Sequence, residues 1–209
     1  MSVLDKFDRI AHGYSERDYA EPERYAAHRA KVILGLARLE PGDSVLDLGC
    51  GDGIMAPPML AAGLRYEGSD ASKGMVDAAR ARNPGLPFTV ARSEDFRPAE
   101  PVDATICLRS FYYPADRIAF FRHVAGYTRK AFVFDFRPRD HPVREIVAAL
   151  REAGFGELRL QPFFLPQLRR LPAVALPAVY GLERLGPPAL LATRLYGRVF
   201  CAAVPGTTR

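Results

Sequence analysis

The 209 residues of the chain predict an α/β fold in which a mostly parallel sheet carries helices on both faces. Three observations carry that expectation. Short apolar runs at 44–48, 64–68, 87–91, 103–108 and 131–136 are interleaved with stretches of helical spacing, the alternation from which parallel sheets are built. The first run passes directly into Gly49, Gly51 and Gly53, so a strand ends in a tight turn and a helix follows. The fourth run is almost uninterrupted in its apolar residues, as a central strand buried on both faces must be.

Composition sets the outer bounds. A chain of this length with 48% hydrophobic residues has enough apolar surface for one domain with a buried core. Its three cysteines, Cys50, Cys107 and Cys201, are scattered, with no CxxC pair and no His–Cys cluster. That pattern points to a reducing compartment, with neither a disulfide framework nor a metal site. The N-terminal MSVLDKFDRIAHGYS carries charges where a secretory leader needs an apolar core, so the expected location is cytoplasmic. The net charge of +5 resides in residues 141–209, which hold nine arginines and four acidic residues, while the other 140 residues balance. A basic third suits nucleic acid, a membrane surface or an anionic small molecule. No Lys/Arg run, RNA-binding aromatic motif or recognition-helix pattern accompanies it, which argues against nucleic acid.

Taken in order, residues 1–40 read as a helical cover ahead of the core, with Val32, Leu36 and Leu39 at helical spacing. Glu40-Pro41-Gly42-Asp43 ends it and turns into the strand at 44–48. A helix over 54–62 follows the glycine turn, with Pro57 and Pro58 tolerated only in its first turn. After the strand at 64–68, Ser72 is the N-cap of a helix over 73–82 that Asn83-Pro84-Gly85 stops. Strands at 87–91 and 103–108, a helix over 115–127 and a strand at 131–136 come next. A helix over 142–153 closed by Gly154, a strand at 157–164 and a last strand at 195–203 complete the series. The 30-residue connection 165–194 contains five prolines and is too long to be structureless in a compact domain, so short helices are expected in it. Its longest uncharged run, 171–182, has 12 residues, short of the roughly 20 that cross a bilayer.

Asp70 lies 21 residues beyond Gly49, the separation at which a βαβ unit brings a carboxylate beside a ribose. The glycines read GxGxG, not the GxGxxG of pyrophosphate-binding turns, which disfavours a dinucleotide-dependent oxidoreductase. SVLDLGCGDG at 44–53 with GSDAS at 68–72 resembles the class I S-adenosylmethionine-dependent methyltransferases. The likeness is specific there and looser over 7–155. It implies a Rossmann-like, seven-stranded, mostly parallel sheet with an antiparallel last strand, all in a single domain. Within it, 1–40 would be an N-terminal helical cover, 41–164 the cofactor-binding core, 165–194 a lid inserted between strands six and seven, and 195–209 the last strand and tail.

The resemblance also implies S-adenosylmethionine as cofactor. Backbone at Gly49, Cys50 and Gly51 would hold its methionine part near Asp47, and Asp70 its ribose. Met75 would face the adenine, with Ala71, Ser93, Glu94 and Leu108 also at the site. Tyr14 and Arg29 would reach in from the cover, Arg29 toward the methionine carboxylate. On residue type alone, Tyr14 and Met75 serve equally as core and Arg29 as a solvated side chain. Where the family usually has an acidic residue for the adenine amino group, this chain has Arg92, which leaves Glu94 or Asp95 to take that place.

The expected activity is methyl transfer to a small, largely apolar metabolite that bears an anionic group. Ligands of open α/β sheets bind at the carboxyl ends of the strands, which puts Arg109-Ser110-Phe111-Tyr112-Tyr113-Pro114 and Arg137-Pro138-Arg139-Asp140-His141 on the substrate side. Arg109, with Arg137 or Arg139 and with Arg169 and Arg170 at the start of the lid, would converge on a carboxylate or phosphate or else face solvent. A hydroxyl acceptor also needs a base. Of the four histidines only His12 and His141 are placed for it, and Tyr112 would orient the acceptor or shape its pocket. His12, Arg109, Tyr112 and His141 are therefore the candidate catalytic residues. Two other readings stay open: an S-adenosylmethionine-binding protein without methyl transfer, and a lipid-interface methyltransferase whose 165–194 segment touches a membrane peripherally or meets a second subunit.

Overall fold

The computed structural model describes residues 3–193 and 197–206. Among these, seven strands form one sheet in the order β3-β2-β1-β4-β5-β7-β6. They are β1 (Ser44–Leu48), β2 (Arg65–Asp70), β3 (Phe88–Val90), β4 (Val102–Cys107), β5 (Thr128–Phe136), β6 (Phe155–Phe163) and β7 (Arg198–Pro205). β7 runs antiparallel to both of its neighbours, and the β1–β2, β1–β4, β2–β3 and β4–β5 pairs are parallel. This is the Rossmann-like sheet with an antiparallel last strand. Its strand order reverses between β1 and β4, the point where such sheets open a crevice beyond the strand ends.

Period-two alternation along each strand divides the core into two layers. On one face Val45, Ile106 and Val133 pack against α3 (Pro22–Ala37), α4 (Ala56–Ala61) and α5 (Lys73–Arg82) through Ile33, Met59 and Val76. On the other, Leu46, Leu48, Phe132 and Phe134 meet Phe120, Phe121, Ile146 and Leu150 of α6 (Arg117–Ala125) and α7 (Val143–Glu152). The helix starts follow from side-chain caps: Ser72 Oγ accepts from the Met75 N–H at 3.1 Å, and Asp116 from those of Ile118 and Ala119 at 3.0 and 2.9 Å. Pro57 and Pro58 occupy the first turn of α4, where the missing N–H costs nothing.

Boundaries moved where side chains extend the pairing. β2 continues to Asp70, so this carboxylate is the strand's last residue. β5 begins at Thr128, whose buried hydroxyl lies 2.6 Å from that of Thr105 on β4. The expected start of the last strand at Leu195 lies outside the described residues.

The N-terminal cover consists of α1 (Val3–Ile10), α2 (Tyr14–Asp18) and α3. The 165–194 connection leaves β6 at the carboxyl edge and contains a 3-10 turn (Ala173–Ala175), α8 (Leu176–Glu183) and α9 (Pro187–Ala192). It was expected as a lid, yet it is drawn against α3 and the α2–α3 corner. Gln167 O accepts from the Ala20 N–H and Gln167 Nε2 donates to Asp18 O, both at 2.9 Å. The Glu183 carboxylate accepts from the Phe164 N–H at 2.6 Å and meets His28 Nε2 at 2.6 Å. Leu171, Leu176 and Tyr180 pack on the α3 side of the core.

Candidate cofactor and acceptor site

A cavity of about 350 Å³ opens beyond the carboxyl ends of β1, β2 and β4. Its floor is the glycine turn. Gly49 and Gly51 have φ of 72° and 56°, a region that only glycine enters cheaply. A Cβ on Gly49 would stand 2.6 Å from Ser110 Oγ, whereas one on Gly51 meets nothing within 4 Å. Gly49 therefore serves the close approach of the β4 loop, and Gly51 leaves its backbone open to the cavity.

Asp70 ties this turn to the next helix. Its Oδ2 accepts from the Gly51 N–H at 3.0 Å and its Oδ1 from the Ser72 N–H at 2.9 Å. Each oxygen keeps a lone pair for a ligand hydroxyl. Burial pushes the Asp70 pKa up, against the pull of the two backbone donors.

Two further carboxylates close the cover over the turn. Asp52 accepts from the Ser15 N–H and Oγ at 3.0 and 2.7 Å and from Arg82 at 2.9 Å. Asp8 accepts from Ser72 Oγ at 2.6 Å and from the Gly74 N–H at 2.9 Å. These contacts carry Leu4, Phe7, Tyr14 and Tyr19 onto the cavity wall.

Arg29 and Asp47 are 3% and 2% exposed and both line the cavity. The Arg29 guanidinium lies 4.7 Å from the centroid of the Tyr25 ring and donates from Nη1 to Tyr19 Oη at 3.4 Å, while its Nε and Nη2 have no hydrogen-bond partner. Asp47 Oδ2 accepts from Tyr66 Oη at 2.6 Å, and Oδ1 is unpartnered. Buried polar atoms rarely stay unpaired. Orphaned donors and an orphaned acceptor in one cavity match a carboxylate and an ammonium, the two charges of an amino-acid end. The residues present therefore fit S-adenosylmethionine: Arg29 and Asp47 would hold its methionine part beside the Gly51 backbone, and Asp70 would take the ribose.

Burial pushes the Asp47 pKa up to about 7, opposed by the Tyr66 hydroxyl and the Arg29 charge. The sign of the consequence differs for folding and for binding. A raised carboxylate pKa stabilises the fold fully below the ordinary 3.8, and this contribution is lost as pH rises through about 7. An ammonium instead pairs with the ionised form, so donor affinity should increase as pH rises from about 6 to roughly 7.5. Titration calorimetry across that window checks it, and Asp47→Asn should flatten the profile; a wild-type profile that is already flat removes Asp47 from this role.

Every residue expected at the cofactor lines the cavity: Tyr14, Arg29, Asp47, Gly49, Cys50 and Gly51 with Asp70, Ala71, Met75, Ser93, Glu94 and Leu108. Arg92 lines it too, held by Glu94, with Asp95 at 3.8 Å. Of the two acids that could replace the family's adenine-binding residue, Glu94 faces the cavity and Asp95 does not.

The candidate catalytic residues divide. Arg109 and Tyr112 line the cavity, and His12 and His141 do not. His12 is exposed on the turn between α1 and α2. His141 stacks on Tyr112 with centroids 5.9 Å apart and lies 3.4 Å from Arg117, and burial together with that arginine lowers its pKa. Nor do the expected arginines converge. Arg137 turns back toward Asp140 at 3.8 Å, Arg139 and Arg169 are exposed, and Arg170 donates to Ala20 O at 3.3 Å. No described residue of 165–194 lines the cavity; the N-terminal cover roofs it instead.

Ser110 and Tyr113 of the hexapeptide expected on the substrate side line the wall, and residues outside the expected set complete it, among them Phe7, Tyr19, Asp52 and Met55. Most had no readable signal. Asp52 acts through Ser15, 37 residues upstream, and no local pattern announces such a pair.

Residues 45–131 match a family model described as a methyltransferase domain. The ubiquinone biosynthesis O-methyltransferase of Xanthomonas axonopodis pv. citri is 29% identical over 133 residues, covering 60% of this chain and 56% of that protein. The chain thus spans little more than half the length of that curated relative. The trans-aconitate 2-methyltransferase of Rhizobium rhizogenes is 26% identical over 180 residues, covering 84% of this chain and 69% of the relative. A methyltransferase chain solved in complex with the Haloferax volcanii Trm112 activator superposes with a TM-score of 0.70 at 25% identity, covering 98% of this chain and all of that one. Other solved chains of this fold hold S-adenosylmethionine or S-adenosylhomocysteine. Sheet order, glycine turn, the paired acids at 47 and 70 and these likenesses agree: residues 45–131 carry a methyltransferase domain, and the sheet has the fold of the class I S-adenosylmethionine-dependent methyltransferases, whose cofactor is S-adenosylmethionine.

Proposed function

We propose that the protein methylates a small, largely apolar acid, and that the acceptor atom is an oxygen of the acid's own carboxylate. The observation that carries this reading is Arg109. It sits on the cavity wall at φ 58°, a left-handed conformation for a residue with a Cβ, and such strain of roughly 1–3 kcal/mol persists where surroundings impose it. Here the Asp135 carboxylate fixes the Arg109 N–H at 2.8 Å, Tyr19 Oη accepts from its Nη1 at 2.9 Å and Asp18 lies 3.6 Å from its Nη2, while Nε is buried without a hydrogen-bond partner. An unpaired guanidinium donor suits a carboxylate. Around it stand Tyr14, Tyr112, Tyr113 and Phe7, with the Tyr112 and Tyr113 rings 4.8 Å apart and Phe7 edge-on to Tyr113 at 6.2 Å, an aromatic wall for an apolar body.

None of the four histidines lines the cavity, and its carboxylates are already engaged, Asp47 by Tyr66, Asp52 by Ser15, Asp70 by the turn N–H groups and Glu94 by Arg92. An alcohol acceptor would require a base there; a carboxylate is already ionised at neutral pH and loses no proton on esterification. Bound in this cavity, S-adenosylmethionine supplies an electrophilic methyl group and leaves as a neutral thioether. The chain's own part is to orient the acceptor through Arg109, to hold its apolar body on the tyrosines and to keep water out. The likeness to a trans-aconitate methyltransferase supports an acidic acceptor.

The test is turnover of a panel of apolar acids against matching alcohols and phenols, with a radiolabelled methyl donor and base-labile ester as the product. Acids should be consumed, and Arg109→Met should raise KM for them by roughly tenfold or more with donor affinity little changed. Turnover of phenols alone, rising with pH, would refute the carboxylate assignment. Donor binding without turnover of any acceptor would favour the binding-protein reading.

A further inference from the structure

The connection between β6 and β7 carries more apolar surface than its packing uses. α8 turns Leu176 and Tyr180 toward the core and Glu183 into its buried contact with His28, which defines an inner face at helical spacing. On the opposite side Val174, Ala178, Leu182 and Leu185 recur at intervals of three and four and are exposed, Val174 by 88% and Leu185 by 60%. Leu168, earlier in the same segment, is exposed by 72%. A helix apolar on both faces calls for cover on both.

The charges decide what the cover is. The one acidic residue in 165–194 is Glu183, and it is buried, accepting from the backbone of Phe164 and Leu165. The exposed charges described in the segment are Arg169, Arg170 and Arg184. Glu21, at the head of the neighbouring α3, is paired with Arg24 at 2.8 Å. The outer face is thus leucine, valine, alanine and proline rimmed by cations with no free acid of its own segment. No described helix is long and apolar enough to cross a bilayer.

We propose that this face docks peripherally on an anionic lipid bilayer, with Leu168, Val174, Leu182 and Leu185 at the acyl boundary and Arg169, Arg170 and Arg184 at the phosphates. A second copy of the chain fits less well, because a two-fold interface would set the same arginine-rimmed patch against itself. Docking is independent of which acceptor the cavity takes.

Co-sedimentation with phosphatidylcholine vesicles, with and without phosphatidylglycerol, tests the proposal on the intact chain. Binding to the mixed vesicles should exceed that to phosphatidylcholine alone by about tenfold or more and weaken with added salt. Arg169→Glu with Arg184→Glu should reduce it to the neutral-vesicle level, and Val174→Asp with Leu185→Asp should abolish it on both. None of these residues lines the cavity, so thermal unfolding and donor binding should stay unchanged; the single Val174→Asp serves where a double variant unfolds. Failure to sediment with either vesicle, or equal sedimentation with both, overturns the proposal. So does a dimer in light scattering that Val174→Asp dissociates, which would assign the face to a second copy.

Discussion

Replacing Asp135 with leucine is expected to cost roughly 3–5 kcal/mol of folding stability. Asp135 is fully buried at the end of β5. Its carboxylate lies 3.0 Å from Arg198 and 3.8 Å from Arg29, and it accepts from the Arg109 N–H at 2.8 Å. Burial alone would raise its pKa, but Arg198, Arg29 and the Arg109 backbone together hold it below the ordinary 3.8. Removing the carboxylate leaves two nearly buried guanidinium groups without their counter-charge, which costs far more than the pair itself is worth. Asp135→Asn keeps an acceptor for Arg109 and should cost less. Because the folded pKa is depressed, the stabilisation is present above pH 3.8 and is lost as pH falls through the lower folded value. The gap between wild type and Asp135→Leu should therefore narrow in acid. Urea unfolding at two pH values measures both effects, and a loss under about 1 kcal/mol, the range of an ordinary point substitution, would mean that the arginines find other compensation.

Asp70→Ala should weaken S-adenosylmethionine binding by roughly tenfold to a hundredfold, the equivalent of one or more charge-assisted hydrogen bonds at about 1.5–3 kcal/mol each. Two losses act together. The ribose contact disappears, and the N–H groups of Gly51 and Ser72 lose the acceptor that sets the turn's shape. Calorimetry with S-adenosylmethionine on a variant shown to be folded separates binding from collapse. Undiminished affinity would make Asp70 a turn-forming residue alone.

The cofactor half of the site was legible because it is local. A strand, a glycine turn and a carboxylate one βαβ unit later lie within 27 residues, 44–70, and their chemistry follows from backbone geometry that short sequence dictates. Even the departure at Arg92 was visible as a residue of the wrong charge. The acceptor half was not legible. The arginines after β4 and β5 share a sheet edge, yet only Arg109 turns inward; Arg137 is held by its own turn through Asp140. His141 lies at the correct strand end but behind Tyr112. Direction at a strand end depends on the loop's path, which no spacing rule supplies.

By itself the sequence determined the layer order, the parallel core, the helix cap at Ser72 and the glycine turn and Asp70 that line the cavity, since each rests on contacts between near neighbours. Only the tertiary structure decided what roofs the cavity. The proline-rich segment after β6 looked like a lid because it leaves from the correct edge, but buried Glu183 meeting His28 across 155 residues holds it on α3 instead. The roof passed to α1 and α2, clamped by Asp8 and Asp52. Those clamps are long-range hydrogen bonds, two to Asp8 and three to Asp52, and a polar residue's distant partner is written in the packing of the whole chain, not in its neighbours.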